Sequence, residues 1–175
     1  MVKKVKTKDL HSQNIIIENQ DDKVDIKFPI KYQFNDTCSD LFMFQTPKLI
    51  FEKIVDEGSN MFIVASLKNT QASKVFLEKI WALETKMLDK IKSLSNSYGE
   101  PVLNESCLKN KPYIKFKIKK HYGKPQLTIG NRTQTLVTLY DIKEGDEIIC
   151  NVSISALWFF SKWGYYLNVE EILVL

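Results

Sequence analysis

Hydrophobic and polar positions along this chain follow two periods. Over much of the sequence they alternate or form short apolar runs, the signature of strands. "NIIIEN" and "KVDIKFPIKY" read as the first strands, separated by the polar turn "NQDD". The aromatic and β-branched residues of "DLFMFQTPKLIFEKIVDEGSN" predict another, with Pro47 at a bulge or edge and "DEGSN" as a turn. "MFIVASL" is a short apolar strand. From Thr70 the period lengthens. Phe76, Ile80, Leu83, Met87, Ile91 and Leu94 recur at steps of three or four, which predicts an amphipathic helix over about residues 70–97. Leu77, Trp81 and Leu88 widen its apolar stripe, Thr70 is its N-cap, and Gly99 and Pro101 close it.

Alternation then returns. In "PYIKFKIKKH", Ile114, Phe116 and Ile118 fall on one face, and Tyr113, Lys115, Lys117 and Lys119 on the other. "YGKPQLTIGNRTQ" is turn-rich and "TLVTLY" reads as a short strand. "KEGDEIICNVSISAL" and "YYLNVEEILVL" are two further strands joined by "WFFSKWG". In the first of them Ile148, Cys150, Val152 and Ile154 point one way, and Asn151, Ser153 and Ser155 the other. The order predicts a mainly β fold with one long helix. Its best match is an OB-fold-like Greek-key barrel with the helix between strands 3 and 4, and such barrels present a strand face and loops to oligonucleotides. A helix packed across an antiparallel sheet in another α+β arrangement is the alternative.

With 175 residues, 44% of them hydrophobic, the chain suits a single globular domain. We expect residues 13–175 to form it, preceded by a mobile basic arm over residues 1–12 that carries Lys3, Lys4, Lys6 and Lys8. The net charge of +4 is modest, but its distribution is uneven: residues 109–133 hold eight basic side chains and no acidic one. That concentration is the footprint of an anion-binding face. An edge strand guarded by lysines would also look basic, yet a merely solvated surface normally mixes both signs. Lys115, Lys117, Lys119, Lys124 and Lys162 are therefore candidate phosphate contacts. Arg132 joins them as the only arginine. A lysine-dominated face suits tracking of a backbone rather than reading of base edges.

The segment "LWFFSKWGYYL" places six aromatic rings within nine residues. Some must cap the barrel, and we expect Tyr165 and either Phe159 or Phe160 to be buried. Trp163, Tyr166 and Tyr113 are the candidates for stacking on unpaired bases. Catalysis finds little support. His11 and His121 have no partner pattern for a triad, phosphate-binding glycine loops are missing, and "DDKVD" lacks the remaining ligands of a calcium loop. No cofactor or metal is expected. Cys38, Cys107 and Cys150 are far apart and odd in number, which suits a reducing compartment. Neither a signal peptide nor an apolar run long enough for a membrane span is visible.

"KPYIKFKI", "YGKPQLTIGNRT" and "GDEIICNVSISALWFFSKWGYYLNVEEILVL" together resemble the single-stranded-DNA-binding proteins of nucleocytoplasmic large DNA viruses, asfarvirus-like in texture and related to OB-fold replication proteins of tailed phages. The resemblance is clearest over residues 110–175. It implies coating of unwound DNA during viral replication and repair, in the host cytoplasm or virion, with Lys115, Lys117, Trp158 and Trp163 at matching positions. It also implies an acidic C-terminal tail that recruits replication proteins. The sequence stops at "EEILVL" without one, so the chain either lacks that tail or is a fragment of a longer protein. The expected partner is single-stranded DNA, and the expected role is not enzymatic. An RNA- or duplex-binding module, or a viral structural or host-interaction protein with a basic face, is the alternative.

Overall fold

In the computed structural model, which describes residues 3–19, 27–35, 37–39, 42–94, 98, 100–131 and 138–175, the alternating segments pair and close on themselves. The chain first forms β1 (Lys3–Val5), β2 (Ile15–Ile17), β3 (Lys27–Phe34), β4 (Thr37–Ser39), β5 (Phe42–Gln45), β6 (Leu49–Asp56) and β7 (Met61–Leu67). Helix α1 (Gln71–Ser93) follows, then β8 (Leu103–Glu105), β9 (Tyr113–Ile118), β10 (Lys120–His121), β11 (Lys124–Pro125) and β12 (Thr128–Asn131). The remaining strands are β13 (Glu147–Ser153), β14 (Ala156–Phe159), β15 (Trp163–Tyr165) and β16 (Asn168–Val174).

The strands β13, β6, β7, β9 and β16 pair in that order, and β16 pairs back to β13, which closes a five-strand barrel. Helix α1 lies between barrel strands β7 and β9 in the chain. The architecture is therefore the mainly β, OB-fold-like barrel with one helix that the residue pattern predicts. A second sheet, β2–β3–β14–β15–β8, stands beside the barrel. The strand expected around Pro47 is split there into β5 and β6, both of which pair with β13. Thr46 bridges the break: its N–H donates to the Cys150 carbonyl and its hydroxyl accepts from the Cys150 N–H.

Thr70 caps α1 as expected, its hydroxyl accepting from the Ser73 N–H at 3.2 Å. Phe76, Ile80, Leu83, Met87 and Ile91 are all completely buried. They face β2, β8 and the short 3-10 turns at Thr7–Asp9 and Ser12–Asn14, and Phe76 meets Phe44 of β5. Burial of each such side chain contributes about 1.5–3 kcal/mol, which is why this helix needs no help from propensity alone.

Four expectations need correction. The segment 3–12 is not an arm: β1 pairs in parallel with β5, and Leu10 is buried in the core. Trp81 does not widen the helix stripe; it is 66% exposed, because it lies one residue beyond Ile80 and turns away from the barrel. The alternation of β13 breaks at a bulge between Asn151 and Val152, so Val152 and Ser153 are both buried. The buried Ser153 hydroxyl donates to Glu170. Finally, the end of "TLVTLY" joins Asp141 in a 3-10 turn, Leu139–Asp141, held by a Thr138–Asp141 capping box; residues 135–137 lie outside the described residues, as do Arg132 and the aspartates 21, 22 and 25.

Candidate nucleic-acid interface

The ladder between β7 and β9 sets the site. Its inward pairs, Met61 with Ile118, Ile63 with Phe116 and Ala65 with Ile114, are buried. Its outward pairs are Phe62 with Lys117, Val64 with Lys115 and Ser66 with Tyr113. Strand period alone therefore places Tyr113, Lys115 and Lys117 on the outer face, as the sequence predicts. Facing them is the hairpin of β14 and β15, which is the segment "WFFSKWG". Together they enclose a groove of about 430 Å³ whose lining includes Phe62, Tyr113, Lys115, Trp158, Lys162 and Tyr166.

Three rings of the groove lining, Phe62, Tyr166 and Trp158, form a row that Phe160 continues beyond it. Phe160 lies 5.5 Å from Trp158, Trp158 lies 5.3 Å from Tyr166, and Tyr166 lies 5.9 Å from Phe62, centroid to centroid. Phe160 is 64% exposed, Tyr166 is half-buried, and Trp158 and Phe62 show only their edges. Two ammonium groups cover the far end: Lys117 Nζ is 4.2 Å from the Tyr166 ring centre and Lys115 Nζ is 4.1 Å from that of Phe62. The Trp158 Nε1 is buried and, among the described residues, has no hydrogen-bond partner.

The charges are more balanced than the sequence implies. Lys115 pairs with Glu57 at 2.7 Å, Lys162 with Glu105, Lys119 with Glu170 and Lys120 with Asp56. Each carboxylate comes from another part of the chain, so three lysines of a segment free of acidic residues, Lys115, Lys119 and Lys120, are nonetheless paired in space. Among the described residues Lys117 has no ion-pair partner. Burial pulls its ammonium below the ordinary lysine range, and the charge of Lys27 adds to the effect. Burial also raises the Tyr166 hydroxyl, with Glu105 and Glu57 pushing the same way. Exposed ion pairs of this kind are worth about 0–1 kcal/mol, so a phosphate can displace the carboxylates at little cost.

Beneath the groove floor lies a polar cluster. The Tyr165 hydroxyl donates to Glu84 at 2.6 Å, the Ser106 hydroxyl donates to the same carboxylate at 2.7 Å, and the Cys107 thiol lies 2.9 Å from the Tyr165 oxygen. Burial pushes the Cys107 thiol up to about 12. This cluster ties α1 to β15 and to the loop after β8, and thereby holds the floor in place.

Of the residues selected from sequence, Tyr113, Lys115, Trp158, Lys162 and Tyr166 line the groove, and Lys117 lies over its Tyr166. Lys119 points along the barrel to Glu170, and Lys124 is exposed on the β10–β11 hairpin. Trp163 is corrected. Its indole is 1% exposed and packs against Phe28, Tyr98 and Phe159, because β15 turns Trp163 and Tyr165 inward together. It offers no face to a base. Sequence reasoning missed Phe62, Glu57, Glu105 and Glu84. Of these only Glu84 left a local signal, a carboxylate on the apolar side of α1, four residues after Ile80.

The sequence matches no protein-family model and no curated protein. Among solved structures, the fold is similar to that of gp2.5, a single-stranded DNA binding protein encoded by bacteriophage T7, with a TM-score of 0.53 and 9% identity over 76% of this chain and 91% of that one. A C-terminally truncated single-stranded DNA-binding protein from bacteriophage Enc34 is more loosely similar, with a TM-score of 0.40 and 9% identity over 94% and 96% of the two chains. At this identity the likeness to the T7 protein is one of fold, and it places the barrel and its single helix in a known architecture.

Proposed function

We propose that this protein binds single-stranded DNA without sequence preference, in the replication or repair of a viral genome. The observation that carries this reading is the convergence of a row of rings and three lysines on one open groove of an OB-fold-like barrel. The exposed rings Phe160 and Tyr113 and the half-buried Tyr166 offer surfaces on which unpaired bases stack, and every base has such a face. Lys115, Lys117 and Lys162 supply point charges for phosphates, which favours backbone tracking over base reading. A duplex hides the faces of its bases, so the ring-lined wall favours single strands. The function of the T7 neighbour supports the same reading. No step in it calls for catalysis.

A titration of indole fluorescence with poly(dT) tests it. Binding should quench the signal, and salt should reverse the quench with a slope of about −2 if all three lysines meet phosphates. Phe160→Ala and Tyr113→Ala alter exposed rings, so the fold should survive. Each should weaken binding by about 1–3 kcal/mol, the usual value of one stacked base. Wild-type affinity in both variants would remove the groove from consideration. Parallel titrations with a matched duplex and with poly(U) separate the single-strand reading from duplex and RNA binding.

A further inference from the structure

The outward face of β7 does not end at the groove. Phe62, Val64 and Ser66 alternate along it toward Lys68, and opposite them Lys117, Lys115 and Tyr113 of β9 lead toward Lys111, where the Leu67 N–H still donates to the Pro112 carbonyl. The six residue steps from Phe62 to Lys68 span about 20 Å. Beyond that point the surface becomes strongly cationic. Lys68, Lys74 and Lys111 line one concavity beside the first turns of α1, and Lys6, Lys8 and Lys48 line a second on the other side of the same turns. Glu147 joins the two, paired with both Lys68 and Lys48. Among the described residues Lys6, Lys8, Lys74 and Lys111 have no ion-pair partner.

The contrast with the groove is one of charge. In the groove wall, Lys115 and Lys162 are each matched by a carboxylate, Glu57 and Glu105. At the start of α1, Glu147 pairs with two of the six lysines, and the other four have no ion-pair partner among the described residues. Unscreened positive potential is therefore greater there than in the groove. Ring faces are few, since the two concavities contain no aromatic side chain. A surface with charge but no stacking platform fits a phosphodiester backbone better than bases.

We infer that this lysine surface is a second nucleic-acid contact, which takes the phosphates of the strand as it leaves the groove past Tyr113. The inference rests on the single-strand reading of the groove. It makes the protein a two-part binder: bases are held between β9 and the β14–β15 hairpin, and bare backbone is held at the start of α1. An acidic protein or an anionic membrane would be a different occupant of the same charges, and the continuity of the β7–β9 face with the groove favours the strand.

The test compares oligothymidylates of about 6 and about 16 nucleotides, lengths within the range of one OB-fold site. Lys8→Gln with Lys74→Gln changes one unpaired lysine in each concavity. This variant should bind the short strand as the wild type does and should lose about 1.4 from the salt slope on the long one. Between 50 and 200 mM salt, the wild-type long-strand affinity should then fall about sevenfold more than that of the variant. An unchanged long-strand slope, with Phe160→Ala still weakening both lengths, would overturn the second contact and leave the groove standing. If Phe160→Ala affects neither length, the groove reading falls and this extension falls with it. Vesicles containing phosphatidylserine form a further arm. Loss of vesicle binding in the lysine variant, with long-strand binding intact, would hand the surface to lipid and overturn the inference.

Discussion

Gly164 shows how one absent side chain shapes the site. A Cβ at this position would lie 2.4 Å from two carbons of the Trp158 indole and 2.7 Å from the Glu105 Cβ. Trp158 and Gly164 are opposite residues on β14 and β15, so the indole lies across bare backbone, and Glu105 approaches from β8. The sequence displays the W…WG pattern but not this reason for it, because the contact is between strands. Gly164→Ala forces either the ring or the strand to move. Overpacking of this kind typically costs about 1–3 kcal/mol, and each kcal/mol lowers the melting temperature of a chain this size by about 2–4 °C. Thermal unfolding checks this expectation. A melting temperature equal to that of the wild type would mean that Trp158 has another resting place.

At the scale of the element, the alternation of β9 is the best-read feature of the chain. Ile114, Phe116 and Ile118 are buried and Tyr113 and Lys115 exposed, as period two demands. What the strand could not reveal is its counter-charges. Glu57, which begins the turn after β6, pairs with Lys115 58 residues away, and Glu105, which ends β8, pairs with Lys162 of the facing hairpin 57 residues away. These carboxylates restrain the groove, since an incoming phosphate must displace them. Glu57→Gln with Glu105→Gln should therefore raise affinity for single strands several-fold, with the salt slope still about −2 because the same three lysines meet phosphates. Salt-dependent titration measures both. Weaker binding in the double variant would mean that the carboxylates accept hydrogen bonds from bases instead of competing with phosphates.

The whole molecule has a pH limit built into its interior. Burial pushes the thiols of Cys107 and Cys150 up to about 12, and it raises the Tyr165 hydroxyl well above its ordinary range. Between the ordinary thiol value of 9.0 and about 12 the folded chain keeps protons that the unfolded chain releases. Stability must then fall as pH rises through that window and is fully present below it. Urea midpoints at pH 7, 9 and 10.5 should show the decline, and a flat series would mean that these groups ionise without unfolding. By itself the sequence determined the helix, the faces of β9, the buried stripe and the mainly β class, because periodicity is a local property that burial on one side enforces. Only the tertiary structure decided that the first residues pack as β1, that Trp163 is core while Phe62 and Trp158 reach the groove, and that Lys115 and Lys162 are matched by distant carboxylates. Those outcomes depend on which strands become neighbours, and barrel closure joins residues that no local period relates.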